Sequence, residues 1–167
     1  MNKLPATRSS RTATAPERGA THRPPRILVV DDDPDLRQIG TEMLIRHGYQ
    51  VDAVEDNTAG WKALKTHPYD LLVTDLDMPR LSGLKLVKRL RAARMAMPVI
   101  LASGTVTPGE LNRTPWLHLS GALLKPVSPD QLLQTVQAVL RAPDGAREQI
   151  APPLNGQSQP SAVGWQL

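Results

Sequence analysis

The stretch DLLVTDLDMPRLSG, residues 70–83, decides how this chain is read. Leu71, Leu72 and Val73 form an apolar run of the kind that fills a strand covered on both faces. The run leads straight into Asp75 and Asp77, and Met78-Pro79 and Ser82-Gly83 follow as loop punctuation. A carboxylate that ends a buried strand is costly to desolvate, so it requires a partner or a chemical role.

Outward from this stretch, strand-like and helix-like segments alternate. RILVVD (26–31) is a short β-branched run that also ends in acid. Asp33-Pro34 is a helix cap followed by a first-turn proline, and Leu36, Ile39, Met43 and Leu44 recur at helical spacing until Gly48. YQVDAV alternates as a strand, and NTAGWKALKTH is a short amphipathic helix closed by Pro68. After the opening strand, GLKLVKRLRAARM places Leu84, Val87 and Leu90 on one face and Lys85, Lys88, Arg89 and Arg91 mostly on the other. The Lys/Arg run there reads as a solvated helix face. MPVILAS and GALLKP are further strands, separated by TPGELNRTPWLHLS, in which Pro115 interrupts any helix. SPDQLLQTVQAVLRA opens on a Ser cap and a proline and carries a stripe of Leu132, Leu133, Val136, Val139 and Leu140. Strict alternation of five strands with five helix-like segments predicts an α/β fold, a parallel sheet wound with helices on both faces.

Composition bounds the rest. The chain has 167 residues, 40% apolar but without Phe, so its core is aliphatic. It has no Cys, which excludes disulfides and thiolate chemistry and fits a reducing, cytoplasmic setting. No apolar run approaches a membrane span, and residues 1–25 hold no continuous apolar stretch, so a secretory signal is not expected. The net charge is +4, but residues 1–26 hold six Lys/Arg against Glu17 alone, a balance of +5 that leaves −1 for the remainder. A nucleic-acid role would therefore rest on that tail alone. Residues 1–25 and 143–167 are rich in small, polar, Pro and Gly residues and read as disordered tails around one domain, 26–142. Trp165 in the second tail reads as a chance aromatic, with a docking anchor as the sharper alternative.

Open parallel sheets bind ligands beyond the carboxyl ends of their strands. The polar residues of this chain gather there: Asp31-Asp32-Asp33 after the first strand, Asp75 after the third, Ser103-Gly104 after the fourth and Lys125-Pro126 after the fifth. Singly, each has an ordinary reading: a cap, a turn residue, a surface lysine. Four such signals at one edge of one sheet favour a site. If the first and third strands are neighbours, their carboxylates require a cation. Hard oxygen donors without His or Cys point to Mg²⁺. Lys125 and Ser103 add a positive charge and a hydroxyl suited to a phosphoryl group, and without a P-loop the natural covalent home for that group is a carboxylate.

Residues 26–142 resemble the receiver domain of response regulators, the phospho-accepting half of two-component signalling. ILVVDDDPDLR, LLVTDLDMPRLSG, PVILASG and GALLKPV match its four motifs in order. The resemblance implies a flavodoxin-like (βα)5 fold with strand order 2-1-3-4-5 and Asp75 as the phosphorylated nucleophile. It also implies Mg²⁺ held by Asp32 directly, by Asp31 through water, by Asp75 and by the backbone carbonyl of Asp77. Ser103 and Lys125 would contact the phosphoryl group, and the Lys125-Pro126 bond would be cis. The implied partners are a sensor histidine kinase or phosphotransfer protein upstream and another protein downstream. The implied activity is self-modification and its reversal, not turnover of an external substrate, and no DNA-binding output domain is expected after the last helix.

Three positions depart from the family pattern, one of them Pro115, which breaks the fourth helix. Ala122 stands where an aromatic is usual, and Val127 follows Lys-Pro where Phe is frequent. These departures keep a second reading in view, a phosphorylation-independent pseudo-receiver scaffold. A third, a haloacid-dehalogenase-type phosphatase, would use Asp75-Leu76-Asp77 as its D-x-D motif, but its acidic metal pair should lie downstream of the lysine rather than at Asp31-Asp32.

Overall fold

The computed structural model describes residues 23–78, 82–105 and 115–142. Most of both segments read as tails, Trp165 and most of the fourth helix-like segment lie outside the described residues. The order is β1 (Arg26–Val30), α1 (Pro34–Arg46), β2 (Gln50–Val54), α2 (Asn57–Thr66), β3 (Leu71–Asp75), α3 (Gly83–Ala92), β4 (Val99–Ser103), a 3-10 turn (Pro115–Leu117), β5 (Gly121–Leu124) and α4 (Pro129–Arg141). The five strands form one parallel sheet in the order β2-β1-β3-β4-β5, as the resemblance implies. β1 therefore lies beside β3, with Val30 opposite Thr74, so the acids that follow both strands share one edge.

The apolar runs are continuous because both sheet faces are covered. Ile27, Val29, Leu71, Val73 and Ile100 face α1 and α4, where Leu44, Val136 and Val139 complete a core. Leu28, Val30, Leu72 and Leu101 face α2 and α3, where Leu64, Leu86, Val87 and Leu90 complete the other. Each fully buried Leu, Ile or Val contributes roughly 1.5–3 kcal/mol, so the two cores dominate the stability.

Helix ends follow their local signals. The Asp33 carboxylate accepts from the Asp35 and Leu36 amides, and Pro34 has no N–H that would need an acceptor in the first turn. Gly48, at φ 86°, takes the left-handed position that ends α1. Ser128 and Gln131 form a reciprocal capping box on α4. At the far end of the sheet, Arg26 Nε and the Tyr69 hydroxyl both donate to Asp52 Oδ2, at 2.9 and 2.7 Å. Burial and the Asp52 charge push the Tyr69 hydroxyl up to about 12. Arg23 pairs with Asp70 and the Pro25 carbonyl accepts from Gln50, so residues 23–25 are bonded to the domain.

The α1 stripe differs from its expected burial. Leu44 is buried, but Leu36 and Ile39 are 42% and 51% exposed. They flank a cleft of about 160 Å³ between α1 and α4, floored by Val29, Val73, Ala102 and Leu123. At Gly40, α1 comes so close to α4 that an added Cβ would stand 3.2 Å from Leu132 Cδ2, and Val127 lines the cleft beside this contact. The segment around Pro115 is a single 3-10 turn followed by His118 at φ 45°. Its carbonyls are held by α3: Arg91 Nε donates to Leu117 O at 2.9 Å and Nη2 to His118 O at 2.7 Å.

Candidate functional site

Asp75 is the last residue of β3 and only 3% exposed. Lys125, just past β5, reaches across β4 and donates to Asp75 Oδ2 at 2.6 Å. The same ammonium lies 3.7 Å from Asp31 Oδ2. One carboxylate oxygen from each of Asp31, Asp32 and Asp75 falls within 4.8 Å of the others. Asp75 Oδ1 accepts from the Asp77 amide at 2.9 Å, which bends the chain away from the strand. Asp31 Oδ1 accepts from the Asp33 amide, and the Asp31 carbonyl accepts from Arg37 Nη1 at 2.6 Å. Asp33 is occupied as the α1 cap and stays outside the cluster.

The electrostatics of this cluster are unbalanced: three carboxylates face one lysine. Burial pushes the Asp31 carboxyl up, and neighbouring Asp75 and Asp32 add to this against the Asp33 amide and Lys125. Burial opposes the charge on Lys125, but the hydrogen bond to Asp75 and the three carboxylates outweigh it and raise its pKa. A set of oxygen donors that runs from buried Asp75 through half-buried Asp31 to exposed Asp32, with surplus negative charge, fits a hard divalent cation such as Mg²⁺.

A raised carboxyl pKa means the folded state is penalised when Asp31 is charged. The penalty is complete above the raised value and fades as pH falls toward 3.8. In the metal-free protein, Asp31→Asn should therefore raise stability by about 1 kcal/mol at neutral pH, with the gain shrinking on acidification. Urea unfolding in chelator at two pH values measures this. A destabilised variant at neutral pH would show that the charge repulsion does not govern the site.

Ser103 and Asp77 form a second set. The Asp77 carboxylate accepts from the Gly104 amide at 2.5 Å, from Thr105 Oγ1 at 2.6 Å and from Ser103 Oγ at 3.2 Å. Burial opposes the charge, but these donors and Lys125 outweigh it and hold the Asp77 carboxyl below the usual range. Its carboxylate thus points to the β4 loop, and only its backbone carbonyl is available for the ligand role the resemblance implies. The Ser103 hydroxyl, fully buried, is directed at Asp77 rather than at Asp75. The sequence reading did not anticipate Thr105 or this latch. Both depend on the β3–β4 register, Asp75 opposite Ala102, which brings Asp77 level with Gly104.

Gly83 explains the end of the opening motif. A Cβ there would overlap the Asp75 carbonyl oxygen and stand 2.8 Å from Thr74 Oγ1. The start of α3 therefore presses directly on the strand end that carries the acid. The Lys125-Pro126 peptide is cis, as expected.

The pattern of the response regulator receiver domain matches residues 27–137. The chain belongs to the response-regulator receiver family. RcaC of Microchaete diplosiphon is 35% identical over 119 residues, 70% of this chain and 18% of RcaC. Among solved structures, the receiver domain of Francisella response regulator 1452 is 28% identical with a TM-score of 0.65, covering 70% of this chain and 97% of that one. TrrA of Thermotoga maritima, solved in complex with Mg(2+)-BeF, is 29% identical with a TM-score of 0.60, covering 68% and 97%. The chain spans from 18% to about half the length of the first curated relatives it matches. Receiver domains bind Mg²⁺ at an acidic pocket, and this one has such a pocket at Asp31, Asp32 and Asp75. Membership of this family displaces the phosphatase reading. Among the described residues no helix is long and apolar enough to cross a membrane.

Proposed function

We propose that this receiver takes a phosphoryl group from a histidine kinase or a phosphotransfer protein onto Asp75 and signals through contact with a partner protein. The observation that carries the proposal is the buried Asp75 carboxylate, 2.6 Å from Lys125 Nζ and clustered with Asp31 and Asp32 at one sheet edge. In the transfer, an Asp75 oxygen attacks phosphorus, the O–P bond forms and the P–N bond to the donor imidazole breaks. The electron pair returns to the imidazole nitrogen. Lys125 shifts from the carboxylate toward the phosphoryl oxygens, whose charge it pairs. Asp31, Asp32 and Asp75 would hold Mg²⁺, with the Asp77 carbonyl as a further ligand. When bound, this ion neutralises the carboxylates against the incoming phosphoryl oxygens. Ser103 donates to a phosphoryl oxygen only after leaving Asp77, so the two acceptors compete for one hydroxyl. Hydrolysis of the acyl phosphate by water restores Asp75.

The test is phosphorylation by acetyl phosphate with Mg²⁺, read by intact mass. Asp32→Ala removes a ligand and a charge, so Mg²⁺ affinity should fall about tenfold or more and phosphorylation with it. Unchanged Mg²⁺ affinity would overturn the assignment of the metal site. A phosphorylation-independent scaffold is the second reading, and Ala122 favours it. This residue is buried beside Leu117 and has no ring to turn inward when the site changes. Absence of modification in the unaltered protein would select that reading.

A further inference from the structure

Two helices of this domain carry charge of one sign only. α2 contributes Lys62 and Lys65 and α3 contributes Lys85, Lys88 and Arg89, and neither helix contains an acidic residue. All five side chains are exposed, and among the described residues none makes an ion pair. Lys85 precedes Lys88 by three residues and Arg89 by four, and Lys62 precedes Lys65 by three, so like charges stack along each helix. Such pairs disfavour a helix rather than support it. The other two helices among the described residues are balanced: α1 carries Asp35 and Glu42 with Arg37 and Arg46, and α4 carries Asp130 with Arg141.

The basic side chains are interleaved with tryptophan. Arg89 lies over the Trp61 ring at 4.4 Å, and Lys88 over the Trp116 ring at 5.2 Å. Trp61 belongs to α2 and Trp116 to the 3-10 turn, so a continuous row Trp61–Arg89–Lys88–Trp116 crosses three elements. Trp116 is 48% exposed, a large apolar residue left at the surface. Arg91 pins the backbone of that turn to α3, which fixes the row as a preformed surface.

We infer that the α2–α3 face, extended by Trp116, docks an acidic segment of a partner protein. Carboxylates would neutralise the unpaired cations, and an apolar side chain of the partner would cover Trp116. A polynucleotide fits less well. The chain beyond its first 26 residues has a net charge of −1, so it offers no extended positive field. α3, with ten residues, is only about 15 Å long. The inference stands apart from the role of Asp75, because none of these residues touches the acidic site.

The test uses the full chain with Trp165→Phe, so that emission reports on Trp61 and Trp116. The probe is a short synthetic Glu/Asp-rich peptide containing leucine. The expected result is a saturable change in emission that weakens with salt. Lys85→Glu with Arg89→Glu should weaken binding by about tenfold or more, and Arg46→Glu with Arg141→Glu should leave it within about twofold. Unfolding curves check that each variant folds, and the Lys85→Gln, Arg89→Gln pair replaces the Glu pair if it does not. Equal losses in the two pairs, no binding of the peptide, or tighter binding of oligothymidylate or anionic vesicles through this face would each overturn the inference.

Discussion

Asp75→Asn is expected to abolish phosphorylation while leaving the domain folded. An amide has the shape of the carboxylate but is not a nucleophile toward phosphorus, so the loss should be complete rather than partial. The fold should survive because the side chain keeps an oxygen for the Asp77 amide, and Lys125 retains Asp31 at 3.7 Å. The substitution also removes one of three clustered negative charges, which offsets part of the lost Lys125 contact. Intact mass after treatment with acetyl phosphate and Mg²⁺ gives the answer directly, with thermal unfolding as the control for folding. A phosphoryl increment on the variant equal to that on the unaltered protein would place the acceptor elsewhere.

Gly83→Ala is expected to destabilise the domain by about 3 kcal/mol, a large share of the stability of a domain this size. The reason is steric. An added Cβ would occupy the space of the Asp75 carbonyl oxygen and crowd Thr74 Oγ1 at 2.8 Å. Neither neighbour can yield easily, since one is backbone in the central strand and the other is fully buried. α3 would have to slide outward and lift Leu86, Val87 and Leu90 from their core. Urea unfolding measures the loss. Near-normal stability would mean that α3 is not seated against the strand end as described. The same variant should phosphorylate poorly even where it remains folded, because the displaced contact belongs to Asp75 itself.

The sheet and its winding were legible because their signals are local. Apolar runs such as Leu71-Leu72-Val73 need only their own side chains to specify a doubly covered strand, and Asp33-Pro34 and Ser128-Pro129 mark helix starts within a few residues. The site residues were legible for a related reason: each follows a strand, and parallel strands send all such residues to one edge. Motif order then assigned the family before any geometry was known.

Other features depended on contacts between segments distant in sequence. That Leu36 and Ile39 stay exposed beside a cleft depends on how closely α1 meets α4, and an amphipathic stripe does not encode the size of what faces it. The Asp77 latch exists because the β3–β4 register sets Asp77 level with Gly104, 27 residues later. The Trp61–Arg89–Lys88–Trp116 row joins three elements whose side chains meet only once α2, α3 and the 3-10 turn are packed on the same sheet face. By itself, the sequence determined the elements and their alternation through periodicity, the family through the order of its motifs, and which strand ends carry the acids and the lysine. The tertiary structure alone decided which carboxylate Lys125 grips, where Ser103 points and which cations make no ion pair among the described residues, since these are set by register and packing distances that no single segment contains.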